Sequence, residues 1–156
     1  MAEQQQAAQA VFTIEKIYLK DLSIEVPNAP QVFLERDTPR VDIQLSTEAK
    51  PIDEGHYNVI VSVTTTATLN DKTVFLVEAH QAGIFQVRNI PADSIEPVLS
   101  VTCPNILFPY VRETVSEAIS RAGFPPFLLA PVNFEALYQQ RLQQQGQVAP
   151  ASTTTH

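Results

Sequence analysis

Residues 57–87 constrain the fold more tightly than any other stretch. Tyr57, Val59, Val61, Val63, Thr65, Ala67 and Leu69 alternate with Asn58, Ile60, Ser62, Thr64, Thr66 and Thr68. A two-residue period sends these sets to opposite faces of one strand, and Val and Thr favour a pleated surface. Asn70-Asp71 comes next. Both residues tolerate left-handed backbone, so the pattern predicts a tight hairpin turn. The return strand runs from Thr73 to about Val87, with Phe75, Val77 and Ala79 on one face and Val74, Leu76, Glu78 and His80 on the other. Leu76 beside Glu78 is out of place on a purely solvated face, which leaves two readings: a neighbouring chain covers it, or it is a contact. Gly83 predicts a bulge before Ile84 and Phe85.

Two further strands precede this hairpin. Phe12 and Ile14 share one parity, Ile17 and Leu19 the other, and Leu22, Ile24 and Val26 return to the first. These slips predict bulges near Glu15-Lys16 and Lys20-Asp21. Pro27 to Pro30 break the strand, and residues 27–39 read as a loop. Val41, Ile43 and Leu45 alternate with Asp42, Gln44 and Ser46, which predicts a half-buried strand. Residues 47–55, with Pro51 and Gly55, read as a long polar loop.

The C-terminal part changes period. A short helical stretch is expected from Ile95 to about Val101. In CPNILFPYVRETVSEAISRA, residues 103–122, Leu107, Val111, Val115, Ala118 and Ala122 recur at steps of three and four, with Ile106, Tyr110 and Ile119 widening the stripe. Such a stripe buries itself against another layer, and the sheet is the available floor. Asn105 is the expected N-cap. Pro109 is expected near the helix start because it lacks the N–H that would bond back to Asn105. Gly123, Pro125 and Pro126 stop the helix. PPFLLAPV, residues 125–132, is apolar and fits neither regular helix nor sheet, so it packs or binds something. Asn133 is expected to cap a last helix carrying Phe134, Leu137, Tyr138, Arg141 and Leu142.

Composition narrows the class. One domain, residues 11–145, is expected between disordered tails at 1–10 and 146–156, with the Gln-rich run from Gln143 already irregular. The net charge of −7 repels nucleic-acid phosphates and favours a basic partner. No apolar run reaches the roughly 18–20 residues of a membrane span, so no direct membrane insertion is expected. The N-terminal residues lack a signal-peptide pattern. A single cysteine fits a reducing compartment, and a cytoplasmic protein is expected. His56, His80 and His156 occupy no ligand spacing, so no metal or other cofactor is expected. Cys103 reads as a buried apolar residue rather than a nucleophile. No phosphate-cradling glycine loop is present. These features favour a binding protein over an enzyme.

KDLSIEVPNAP at 20–30, FLVEAHQAGIF at 75–85, CPNILFPYVRETVSEAISRAGFPP at 103–126 and LAPVNFEALYQQRL at 129–142 resemble the SecB family of bacterial protein-export chaperones. The resemblance covers residues 11–145. It implies an α+β fold, a four-stranded antiparallel sheet with two C-terminal helices packed on one face, assembled as a homotetramer that is a dimer of dimers. The first strand would pair with its equivalent in another subunit. The long helix would meet the other dimer through Leu107, Val111, Val115, Ala118 and Ile119. The implied activity is binding of unfolded precursor proteins without ATP and their delivery to the SecA translocase motor. Carried over by residue, the motor-binding surface would be Asp21, Glu25, Leu76 and Glu78. The client groove would comprise Val41, Ile43, Leu45, Pro126, Phe127, Phe134, Tyr138 and Leu142. Asp37 stands where some relatives carry a tryptophan. Two other readings remain at this point: a carrier of a small hydrophobic ligand in a closed cavity, and a SecB-like chaperone serving a different dedicated client such as a toxin–antitoxin pair.

Overall fold

The computed structural model describes residues 8–147. Four antiparallel strands form one sheet: β1 (Val11–Glu25), β2 (Arg40–Asp53), β3 (His56–Leu69) and β4 (Lys72–Arg88), in the order β1-β4-β3-β2. A short helix α1 (Ala92–Pro97), a π-helical turn (Val98–Thr102) and α2 (Cys103–Arg121) follow without a break, and α3 (Phe134–Gln147) closes the described chain. The sheet and the helices match the expected α+β class. The expected tails fall largely outside the described residues. At the inner margins, the Gln9 carbonyl accepts a hydrogen bond from Asn89 Nδ2 at 3.0 Å, and α3 carries the Gln-rich run as regular helix to Gln147.

The central hairpin forms as its period dictates. Asn70 and Asp71 both take positive φ, 51° and 62°, closing β3 onto β4. Val59, Val61, Val63 and Thr65 share the helical side with Val77, Ala79 and Phe85 and are almost completely buried beneath α2. Leu107, Val111, Val115 and Ile119 of α2 fill the facing layer. Full burial of each such aliphatic stabilises the fold by about 1.5–3 kcal/mol.

In β1 the register shifts fall between Ile14 and Lys16 and between Leu19 and Asp21, where the phase slips place them. Glu15 and Lys20 are the extra residues. Each absorbs one step, so Phe12, Ile14, Ile17, Leu19, Leu22 and Ile24 all face the helical side.

Several local expectations are corrected. Residues 47–53 are strand, not loop: β2 pairs with β3 down to Asp53↔His56, and the turn is only Glu54-Gly55. Gly55 supplies the turn's positive φ of 72°. Pro51 is tolerated because β2 is an edge strand. Gly83 makes no bulge, since its register with β3 and β1 is regular on both sides. It is required instead for close packing, because a Cβ there would lie 2.8 Å from Phe85 Cε2 and 3.0 Å from Leu107 Cδ2. Asn105 is not an N-cap. The helical path begins at Ala92 and leaves Asn105 and Pro109 inside it. The π-helical turn stands just before Pro104, where the Cys103 N–H bonds back to Val98 O. Asn105 and Pro109 lie on the exposed side of α2, so water reaches the carbonyl that Pro109 leaves unpaired.

Candidate polypeptide-binding site

Only the middle of the sheet's helical side is covered. Helix α2 packs on β4 and β3, while α3 leans on the π-helical turn beside β2. The helical side of β2 therefore opens into cavities. The larger, 680 Å³, is bounded by Val41, Leu69, Phe75 and the Phe124–Phe127 segment, with Glu35 and Asp37 on its rim. Phe124 and Phe75 of its wall lie 5.1 Å apart between ring centroids, and Phe33, outside the lining, stacks on Phe124 at 5.0 Å. A second cavity of 280 Å³ lies between Leu45, Phe134, Leu137, Tyr138 and Arg141. Asn133 starts α3 by accepting the Ala136 N–H at 3.0 Å, which sets Phe134 edge-on to Phe108 at 5.9 Å.

The eight groove candidates thus divide. Val41, Pro126 and Phe127 line the larger cavity, and Leu45, Phe134 and Tyr138 the smaller. Ile43 stands between Val41 and Leu45 on the same face of β2 and is exposed. Leu142 lines neither cavity. Phe134 is only 2% exposed, so it serves as a structural floor. The sequence reading missed Phe33 and Phe124, whose stacking depends on a loop that carries no periodic signal. It also missed Leu69 and Phe75, which read as ordinary strand core.

The opposite face of the sheet is polar. Strand register brings the four acidic-patch candidates together: Glu25 pairs with Leu76, Ser23 with Glu78, and Asp21 with His80. Leu76 is half-buried between Glu25 and Thr66 of the flanking strands. None of these carboxylates joins an ion pair among the described residues. His80 is fixed by a 2.6 Å hydrogen bond between its Nδ1 and Ser62 Oγ. The patch therefore presents unneutralised negative charge around one apolar side chain.

The interface candidates on α2 need correction. Leu107, Val111, Val115 and Ile119 have no exposed surface, and Ala118 only 6%. They pack against the chain's own sheet and leave nothing for a second copy to touch. One face of β1 carries uncovered apolar surface instead: Phe12, Ile14, Leu19, Leu22 and Ile24 are 37–44% exposed.

Burial pushes the Cys103 thiol up to about 12, so the thiolate that nucleophilic chemistry requires does not form near neutral pH. Among the described residues no group of three or more His, Cys, Asp or Glu side chains could hold a metal ion, and no helix is long and apolar enough to cross a membrane.

A sheet half-roofed by one helix, with apolar cavities along one margin and an acidic patch on the reverse face, has the architecture of a binding protein. The comparisons name the kind. The family described as Preprotein translocase subunit SecB matches residues 4–145. The Protein-export protein SecB of Methylobacillus flagellatus is 57% identical over 98% of this chain and 99% of its own length. That of Azoarcus sp. is 64% identical over 86% of this chain and 89% of its own. The chain belongs to the SecB family of protein-export chaperones, whose members are not enzymes. Among solved structures, the Mycobacterium tuberculosis Rv1957 SecB-like chaperone, in complex with a ChAD peptide from the Rv1956 HigA1 antitoxin, shares the fold. Its TM-score is 0.64 at 18% identity, over 78% of this chain and 90% of that one.

Proposed function

We propose that this chain is a cytoplasmic, ATP-independent holdase that captures unfolded precursor proteins, keeps them unfolded and delivers them to the SecA motor. The observation that carries the reading is the pair of apolar cavities strung along β2, at Val41–Phe127 and Leu45–Tyr138. Unfolded chains share exposed apolar side chains rather than a sequence, and separated apolar cavities bind such side chains without demanding one. Delivery would use Asp21, Glu25, Leu76 and Glu78, an acidic surface with one apolar anchor that suits a basic partner and weakens with salt. Residues 11–145 act as one domain, and four copies assemble as a dimer of dimers. The bare apolar face of β1 supports edge-to-edge pairing of copies through that strand. Four copies then supply avidity for one long client.

The test is light scattering of the purified chain, alone and mixed with a slowly folding, unfolded polypeptide, without nucleotide. The expected result is a particle near four times 17.3 kDa that gains one client. A monomer that ignores the unfolded chain would overturn the proposal and favour a carrier of a small hydrophobic ligand.

A further inference from the structure

His80 stands in the acidic face of the sheet. It pairs with Asp21 of β1 on one side and with Ser62 of β3 on the other, so the three side chains share the face turned away from α2. The ring is half-buried, and its Nδ1 lies 2.6 Å from Ser62 Oγ. A hydroxyl donates to a bare ring nitrogen and accepts from a protonated one. Ser62 therefore holds the ring in place in both charge states, and protonation adds a charge without moving the side chain.

The groups around this ring are mostly acidic. Asp21 faces it directly, at the roughly 4.5–5.5 Å Cβ separation of a cross-strand pair. Glu78 lies two residues back along the same face of β4, opposite Ser23, and Glu25 stands opposite Leu76 beyond it. On the other side β3 presents the uncharged Ser62, and β2 behind it presents Ser46, with Glu48 opposite Ile60. The cations of β1 near this level are Lys20, the extra residue beside Asp21, and Lys16, opposite Ile84. The Tyr18 phenol, opposite Ala82, donates to Asn58 Oδ1 at 2.7 Å. His80 forms no ion pair among the described residues. His56 lies at the far end of the sheet, opposite Gln86 and 3.9 Å from Glu15, and shares none of these neighbours.

We propose that His80 makes docking of the motor responsive to pH. The proposal rests on the reading of Asp21, Glu25, Leu76 and Glu78 as the motor-binding surface, and adds how that surface is regulated. Histidine is the side chain that ordinarily changes charge between about pH 5 and pH 8. Neutral, the ring leaves the three carboxylates free to attract a basic partner. Protonated, it sets a cation beside Asp21 and Glu78, which offsets part of their field and repels the partner's own cations. Affinity for the motor therefore falls as pH falls. By linkage, a bound basic partner disfavours the imidazolium, so docking at intermediate pH releases protons.

The test is calorimetric titration of SecA with the full chain, with His80→Gln and with His80→Lys, at low salt and at about pH 8 and about pH 6. Glutamine keeps a polar side chain that never becomes a cation, and lysine keeps a permanent one. On acidification the full chain should lose about threefold more affinity than His80→Gln, the scale of one partly screened surface charge. His80→Lys should bind about three- to fivefold more weakly than His80→Gln at both pH values. Titration of SecA itself and of the other histidines is common to all three proteins and cancels. The variants read one effect from opposite sides, so either decides the matter if the other fails to fold. Equal losses on acidification in the full chain and His80→Gln, or equal affinities of His80→Lys and His80→Gln, would overturn the proposal and leave the motor-binding reading standing. Failure of the full chain to bind SecA at either pH would overturn that reading, and this inference with it.

Discussion

Strands β1 and β2 stand at opposite edges of one sheet, and both turn apolar side chains toward the helical side. Helix α2 reaches neither edge fully. On β1 the residues from Phe12 to Ile24 form a bare stripe with no wall beside it. On β2, Val41, Ile43 and Leu45 face the Phe124–Phe127 segment and α3, and cavities open between them. Similar side chains thus acquire different uses from what stands next to them. An unwalled edge accepts a strand that brings its own hydrogen bonds, as a second copy of β1 would. A walled margin accepts separate side chains of a chain with no fixed structure. The edges also differ in backbone: β2 carries Pro51 and the 2.8 Å Glu48–Lys50 pair, features that discourage further strand pairing.

The comparison breaks first at the oligomer. Replacing Leu22 and Ile24 together with Asp should split the proposed four-copy assembly into smaller particles while far-UV circular dichroism stays unchanged, because both side chains lie outside the chain's own core. A particle of unaltered mass would show that copies meet elsewhere. Next is the reverse face: Glu78→Lys should abolish SecA binding and leave the oligomer and client capture intact, read by co-sedimentation at low salt. Unchanged motor affinity there would remove the acidic patch from delivery. Tyr138→Asp should weaken client capture about tenfold, roughly 1.4 kcal/mol, whereas Leu142→Asp, outside both cavities, should change it less than twofold. Equal losses would mean that the groove extends past the walls seen here. The smallest effect concerns the floor shared by both edges. Thr65 Oγ1 is buried without a hydrogen-bond partner, so Thr65→Val should raise stability by about 1 kcal/mol in urea denaturation. A loss would reveal a hidden partner for the hydroxyl.

Legibility in the sequence followed the strength of local constraint. The hairpin of β3 and β4 was readable because burial on one face enforces a period of two. The bulges of β1 were readable because its apolar residues change parity twice and a sheet has only one apolar side here. The far half of β2 was not, because Glu48, Ala49 and Lys50 lie exposed at an edge and nothing there imposes alternation. The true start of the helical path was hidden by Pro97, Pro104 and Pro109, which look like breakers although the π-helical turn and the exposed side of α2 accommodate them. The stripe on α2 announced burial against the sheet, and the family resemblance assigned five of its residues to a contact between subunits as well. The sheet beneath claims all of it, so the bare surface lies on β1 instead. Of the acidic cluster, even spacing along a strand put Asp21 with Glu25 and Leu76 with Glu78 on one face each, while their grouping came from the family resemblance and their adjacency from the β1–β4 register. The aromatic wall was not, because Phe33 and Phe124 meet only through tertiary packing.

The bulges at Glu15 and Lys20 also make β1 a strand that counts. Between them lie Lys16 to Leu19, and each extra residue restores a parity that the previous segment has lost. Removing Lys20 alone would erase its bulge and leave Leu22 and Ile24 on the helical side, but adding one residue between Asp21 and Leu22 would send both to the polar face and turn Ser23 and Glu25 inward. One added codon there would then damage the bare apolar face and the acidic face together. The spacing of this strand is therefore less tolerant of insertion and deletion than its exposed position suggests, while substitutions of single side chains along it are tolerated far more readily.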